Sequence, residues 1–146
     1  MKPKNTPLLD RKPGLYLKPS ADKHGNGLFC KTDIAAGEEL ETTPAIILND
    51  VQSTYAYKTL IWDYVFRFGK ITKKLQAKAK IKKIDDASCV VMGIASYCNS
   101  DKNPNAEVIW DEVDGTLYYS LRALKRIPKN TEICTTYGEG WFDSRD

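Results

Sequence analysis

The polar and apolar positions of this chain change character every few residues, and nearly every change is marked by glycine, proline or asparagine. Short apolar runs bounded by such residues predict short strands. Leu15-Tyr16-Leu17 follows Gly14, and Leu28-Phe29-Cys30 follows the glycine-punctuated loop 20–27. The stretch 42–48 is β-prone, and Tyr64, Phe66 and Phe68 alternate with Val65 and Arg67 at strand spacing. Asp114-Gly115 between β-rich runs at 106–110 and 116–124 is the strongest hairpin signal. A last strand is expected at 133–137. Two stretches stay open by periodicity: 88–97 reads as helix or strand, and 70–83 as a short helix or a charged hairpin.

Two turns share one pattern. Ile34 is followed three positions on by Gly37, and Ile127 by Asn130, both able to adopt positive φ; Glu then precedes Leu40 or Ile133. This predicts two similarly built β corners. Many short strands and no βαβ alternation predict a mainly β domain of several small sheets with short helices, and disfavour a Rossmann-type arrangement. Residues 1–13, with Pro3, Pro7 and Pro13, read as a loose arm and 14–146 as one domain.

Composition sharpens this picture. At 146 residues, 42% hydrophobic and 28% charged, the chain is globular, and its longest apolar run is too short to cross a bilayer. With no signal-type apolar region after Met1, a soluble, intracellular protein is expected. Cys30, Cys89, Cys98 and Cys134 form no C-x-x-C pair and His24 is the single histidine, so buried free thiols and no metal site are expected. The net charge of +3 hides a local feature. Lys70, Lys73, Lys74, Lys78, Lys80, Lys82 and Lys83 give 70–83 a charge of +7, leaving −4 on the remainder. Such a run reads equally as a solvated face or as a dock for an acidic surface, with nucleic-acid contact secondary. The acids Glu107, Asp111, Glu112 and Asp114 are suited to attracting a basic peptide.

The chemistry concentrates around residues 92–106, where an apolar segment runs into Asn99-Ser100-Asp101 and Pro104-Asn105-Ala106. Gly25-Asn26-Gly27, which lets a ligand approach bare backbone, and Tyr137-Gly138 near the end make sense beside it. Taken singly, Gly25-x-Gly27 is a hairpin turn, the Asn cluster an Asx-rich turn, and Tyr137 with Trp141 core aromatics.

Together these segments resemble the SET domain of protein-lysine methyltransferases. The likeness is carried by Gly25-Asn26-Gly27-Leu28-Phe29, Ile34-x-x-Gly37-Glu38-Glu39-Leu40, Asp63-Tyr64-Val65-Phe66 and Asn99-x-x-x-x-Pro104-Asn105-Ala106. It continues in Ala123-x-x-x-Ile127-x-x-Asn130-x-Glu132-Ile133-x-x-x-Tyr137-Gly138, spanning roughly 15–142 in the family's order. The chain is similar to minimal members without flanking cysteine-rich segments.

The resemblance implies a β-clip-like fold with a C-terminal pseudoknot that sets Asn99 beside Tyr137. It implies S-adenosylmethionine, converted to S-adenosylhomocysteine, held by His24, Gly25, Asn26, Gly27, Tyr64, Asn99, Ser100 and Tyr137, with Trp141 or Phe142 on the adenine. The target lysine of a protein, a histone among the candidates, would enter a channel for which Tyr97, Tyr118 and Tyr119 are candidates. Tyr137 would orient the amine. The family usually reads Asn-His-Ser where this chain has Asn99-Ser100-Asp101; that histidine contributes largely through its backbone, so Ser100 serves. Asn130 replaces a common glycine. With no cysteine segment after Tyr137, Trp141 and Phe142 or the second subunit of a homodimer would wall the site. The resemblance implies a cytoplasmic or nuclear enzyme, or a host's nucleus for a viral or bacterial member. The rival readings are a non-enzymatic SET module that binds a partner and a small basic nucleic-acid-binding β-domain. Substrate, degree of methylation and oligomeric state lie beyond the sequence.

Overall fold

The computed structural model describes residues 10–23, 25–67, 71–83 and 87–136. Among the described residues, ten strands form three sheets, with two short α-helices between them. The main sheet is built on β4 (Glu39–Leu48), which runs antiparallel to β9 (Thr116–Ala123), to β6 (Ser88–Val91) and to β1 (Asp10–Arg11). β8 (Ala106–Val113) extends it beyond β9, and β5 (Val65–Phe66) beyond β6. β2 (Leu15–Pro19) and β3 (Asn26–Cys30) form a separate hairpin, and β7 (Asn99–Ser100) pairs in parallel with β10 (Cys134–Thr135). Leu28, Ile34, Leu40, Leu117, Tyr119, Leu121, Ile127 and Ile133 fill the core.

The Asp114-Gly115 hairpin forms as expected, with φ of 51° and 76° at its two turn residues. Both left-handed angles match the twist of the flanking strands. The two matched turns face each other. Ile34 and Ile127 exchange both backbone hydrogen bonds at 2.9 Å. Gly37 N–H donates to Ala123 C=O at 2.9 Å while Asn130 N–H donates to Cys30 C=O at 2.7 Å. Gly37 (φ 81°) and Asn130 (φ 61°) occupy equivalent left-handed positions.

The chain departs from the sequence expectations in three places. Asp10 and Arg11, assigned to a loose arm, pair with Thr42 and Glu41 of β4, and Lys12 N–H donates to Leu40 C=O. Tyr64 closes a 3-10 turn, Leu60–Tyr64, so only Val65 and Phe66 continue as strand, and Phe68 lies outside the described residues. The preceding α1 (Asp50–Tyr57) starts at a capping box in which Asn49 and Gln52 cap each other's backbone N–H, and Tyr57 meets Trp62 edge-on at 5.4 Å. The two open stretches resolve. Residues 70–83 contain α2 (Lys73–Lys78), and 88–97 divides at Gly93 into β6 and a 3-10 turn, Ile94–Tyr97.

Candidate active site

Residues 132–135 are held from both sides. On one, Ile133 N–H donates to Leu28 C=O of β3 at 2.8 Å. On the other, Cys134 lies opposite Asn99 and Thr135 opposite Ser100, and Asp101 N–H donates to Thr135 C=O at 2.8 Å. Asn105 imitates a strand residue: its Nδ2 donates to Glu132 C=O and its Oδ1 accepts from Cys134 N–H, both at 2.9 Å. Cys98 Sγ donates to Ile133 C=O at 3.1 Å. A polar side chain in this position avoids the cost of leaving its amide unmade inside the fold.

Glu132 is the hub of this junction. Its Oε1 accepts from Ser20 Oγ at 2.6 Å and its Oε2 from Asn99 Nδ2 at 2.8 Å. A Cβ at Gly27 would lie 2.6 Å from that same Oε2, so the glycine is needed for the carboxylate to fit under β3. Asn99 Nδ2 also reaches Asn26 C=O at 3.3 Å. One carboxylate thus ties the glycine loop to Asn99, two of the three segments singled out in the sequence; Tyr137-Gly138 lies outside the described residues. Beside it, Lys23 Nζ pairs with Asp101 Oδ2 at 3.1 Å. The hydrogen bond to Asp101 holds the lysine above its ordinary pKa, and the Asn103 N–H followed by Lys23 holds Asp101 below its own. Lys23, Ser100, Asp101, Lys102, Asn103 and Thr136 line a cleft of about 490 Å³.

A second carboxylate shapes the junction from beneath. Glu41 is 2% exposed and accepts the N–H groups of Ile94 and Ala95 at 3.0 Å each, Arg11 Nε at 2.8 Å and the Tyr119 hydroxyl. It fixes the start of the 3-10 turn that delivers Tyr97 and then Asn99. Burial first, and the Glu41 charge second, push the Tyr119 hydroxyl above its ordinary pKa, so it remains a donor.

Among the expected site residues, the junction brings together Asn26, Gly27, Asn99 and Ser100, with Gly25 in open space at φ 75°. Tyr64 and Tyr97 meet edge-on at 5.6 Å, and Tyr97 is 40% exposed. Tyr118 and Tyr119, expected in the channel, are buried on β9, and the Tyr119 hydroxyl is engaged by Glu41. His24, Tyr137, Trp141 and Phe142 lie outside the described residues. Of the acids expected to attract a basic peptide, Glu107 holds Arg122 at 2.9 Å and Glu112 accepts both the N–H and Oγ1 of Thr72 at 2.7 Å. The sequence reading had no site role for Ser20, Lys23, Asp101, Glu132 or Glu41. Glu132 stood inside a quoted motif, whereas Glu41 looked like one of three similar glutamates. All four cysteines are buried thiols outside any disulfide; burial pushes the Cys89 and Cys98 thiols up, and Cys134 to about 12, so these three are not thiolate nucleophiles at neutral pH.

A family model described as the SET domain matches residues 25–138, running from the glycine loop to Tyr137-Gly138. This chain belongs to the SET-domain family. It is 23% identical over 124 residues to a Schizosaccharomyces pombe histone-lysine N-methyltransferase specific for H3 lysine 37, covering 84% of this chain and 73% of that protein. Among solved structures, the Neurospora SET-domain protein DIM-5, a histone lysine methyltransferase, superposes with a TM-score of 0.65 at 19% identity, over 88% of this chain and 54% of that one. A Plasmodium falciparum protein described as a candidate histone methyltransferase gives 0.60 at 18% identity, over 90% and 98%. These structures share the SET fold of small sheets seen here. SET methyltransferases use S-adenosylmethionine. The cleft is open to solvent, and the Lys23 ammonium and Asp101 carboxylate on its wall are paired with each other.

Proposed function

We propose that this SET domain transfers a methyl group from S-adenosylmethionine to the side-chain amine of lysine in a protein. The observation that carries the reading is the Glu132 junction, which holds the glycine loop against Asn99 beside an open cleft. When bound, the cofactor supplies an electrophilic methyl on a cationic sulfur. Asn26 and Gly27 backbone, with Gly25 and His24, would line its amino-acid end, where Lys23 can meet a carboxylate. Asn99 and Ser100 would hold the adenosyl part, with Tyr64 as a further contact. Trp141 or Phe142, or a second subunit, would cover the adenine.

A free lysine amine has a pKa of about 10.4 and must lose its proton before attacking. A dry channel beside a cation lowers that pKa, so no dedicated strong base is required. Tyr137 would align the amine for in-line displacement, with Tyr97 at the entrance of the channel and Tyr118 behind it; alignment supplies much of the rate. No covalent enzyme intermediate is needed. Histone H3 is the first substrate to test because the Schizosaccharomyces pombe relative is named for it. A histone substrate would put the activity in a nucleus, and another protein substrate in the cytoplasm.

The test is equilibrium titration with S-adenosylmethionine and with its demethylated product, followed by labelled methyl transfer to histones. Micromolar binding and transfer to lysine are expected. Tyr137→Phe should keep cofactor affinity and lose most transfer, while Asn99→Ala should weaken affinity about tenfold, the effect of one hydrogen bond. A folded chain that binds neither ligand would overturn the reading in favour of a partner-binding module.

A further inference from the structure

We propose that the lysine segment on and after α2 is a docking surface for the phosphate backbone of double-stranded nucleic acid. Lys73, Lys74, Lys78, Lys80, Lys82 and Lys83 are all exposed, while Leu75 and Ile81 are buried to 4% and 6%. The two apolar anchors fix the segment on the core, so the charges ride on an ordered frame. The frame is also braced by the hairpin: Thr72 donates to Glu112, and Lys78 Nζ donates to Gly115 C=O at 3.0 Å.

Lys78 lies in the last turn of α2 and bonds Gly115 C=O, but local energetics do not account for the other lysines. Lys73 and Lys74 occupy the first turn of α2, which contains no acid, so their charges oppose the helix dipole. Lys80 adopts φ of 59°, a conformation glycine or asparagine reaches at lower cost. Six cations within eleven residues repel one another, and among the described residues none forms an ion pair. Residues that break local rules without a compensating contact mark function more often than stability. A polyanion supplies the missing compensation.

Double-stranded nucleic acid fits better than the alternatives. Residues 71–83 contain no aromatic side chain to stack on unpaired bases. Gln76, the amide in the segment, donates to Ile81 C=O at 3.3 Å, which leaves point charges for phosphate and no base-reading pair. The surface is also remote from the junction. β8 begins next to Asn105 and rises over eight residues to this end, about 25 Å away. Docking here leaves the cleft open and does not depend on the methyl-transfer reading.

The test is fluorescence anisotropy of a short scrambled-sequence duplex against salt, for the wild-type chain and for Lys73→Gln/Lys74→Gln/Lys80→Asn/Lys82→Gln/Lys83→Gln. Wild-type affinity should fall about 10³-fold between about 50 and 200 mM salt, independent of sequence. The variant should lose that affinity, its salt slope falling by about one for each lysine that meets a phosphate. Its melting temperature should be unchanged or higher, since like charges have been removed. Lys31→Gln/Lys125→Gln, elsewhere on the surface, should bind as wild type. Equal affinity and slope in the variant would overturn the proposal. So would tight binding of polyglutamate with none of duplex, which would assign the patch to an acidic protein.

Discussion

Glu41 and Glu132 show how much a single side chain decides in this protein. Each is a carboxylate surrounded by donors, and each fixes backbone far away in sequence. Glu41→Gln would turn an amide toward four donors and strand at least one of them. We expect a loss on the order of 3 kcal/mol in urea unfolding, the scale of breaking a buried charged network. Gly93→Ala should be nearly as costly, because a Cβ there would lie 2.5 Å from Glu41 Oε1. Gly93 is extended, with φ of −156°, so the cost is contact and not backbone strain. A control at Glu39, which is exposed, should fall within about 0.5 kcal/mol of wild type. If Gly93→Ala proves neutral, Glu41 does not hold the turn leading to Asn99.

At the scale of elements, the two facing corners are the device that closes the fold. The motif was legible as a repeated spacing in the sequence, yet the reciprocal bonds between Ile34 and Ile127 were not, since pairing across 93 residues leaves no local signature. Gly37 and Asn130 test the equivalence. Gly37→Ala should destabilise by about 1 kcal/mol, the cost of a left-handed Cβ, although nothing lies within 4 Å of that Cβ. Asn130→Gly should lie near zero, because relief of the same strain offsets loss of the bond from Tyr16 hydroxyl to Asn130 Oδ1. Thermal or urea unfolding of both variants checks this. Equal losses at both positions would mean that side-chain contacts, and not φ, dominate. α1 is the element the sequence reading passed over: Asn49 and Gln52 carried its capping box, but the aromatic run after it drew the assignment toward strand.

Across the molecule, exposed and half-buried charge pairs join distant segments. Asp33 is held below its ordinary value by Lys129 N–H and then Arg126, Glu38 by Lys12, and Asp101 by Asn103 N–H and Lys23. Lowered carboxylates contribute stability above their unfolded values, 3.8 for Asp and 4.5 for Glu, and lose it as pH falls through the folded ones. Lys12 and Lys23 are raised, so their contribution is complete below 10.5 and fades as pH rises through the folded values. Melting temperature should therefore be level from about pH 6 to 9 and fall below about pH 4. High salt should partly flatten the acid limb, since these pairs keep contact with solvent. An acid limb that is already steep near pH 6 would point to a different titrating group.

Strand positions, the Asp114-Gly115 turn, the two left-handed corners and the family were written in the sequence. Each depends on neighbours a few residues apart or on short motifs in a fixed order. The tertiary structure alone decided which carboxylates matter. Glu38, Glu39 and Glu41 stand together in one strand entry, and only burial against Tyr119 and the turn at Ile94 separates Glu41 from the others. Likewise Tyr118 and Tyr119, alike in sequence, were placed in the core by the pairing of β9 with β4. Local chemistry sets what a segment can form, and long-range packing sets which polar groups are removed from water and must find partners.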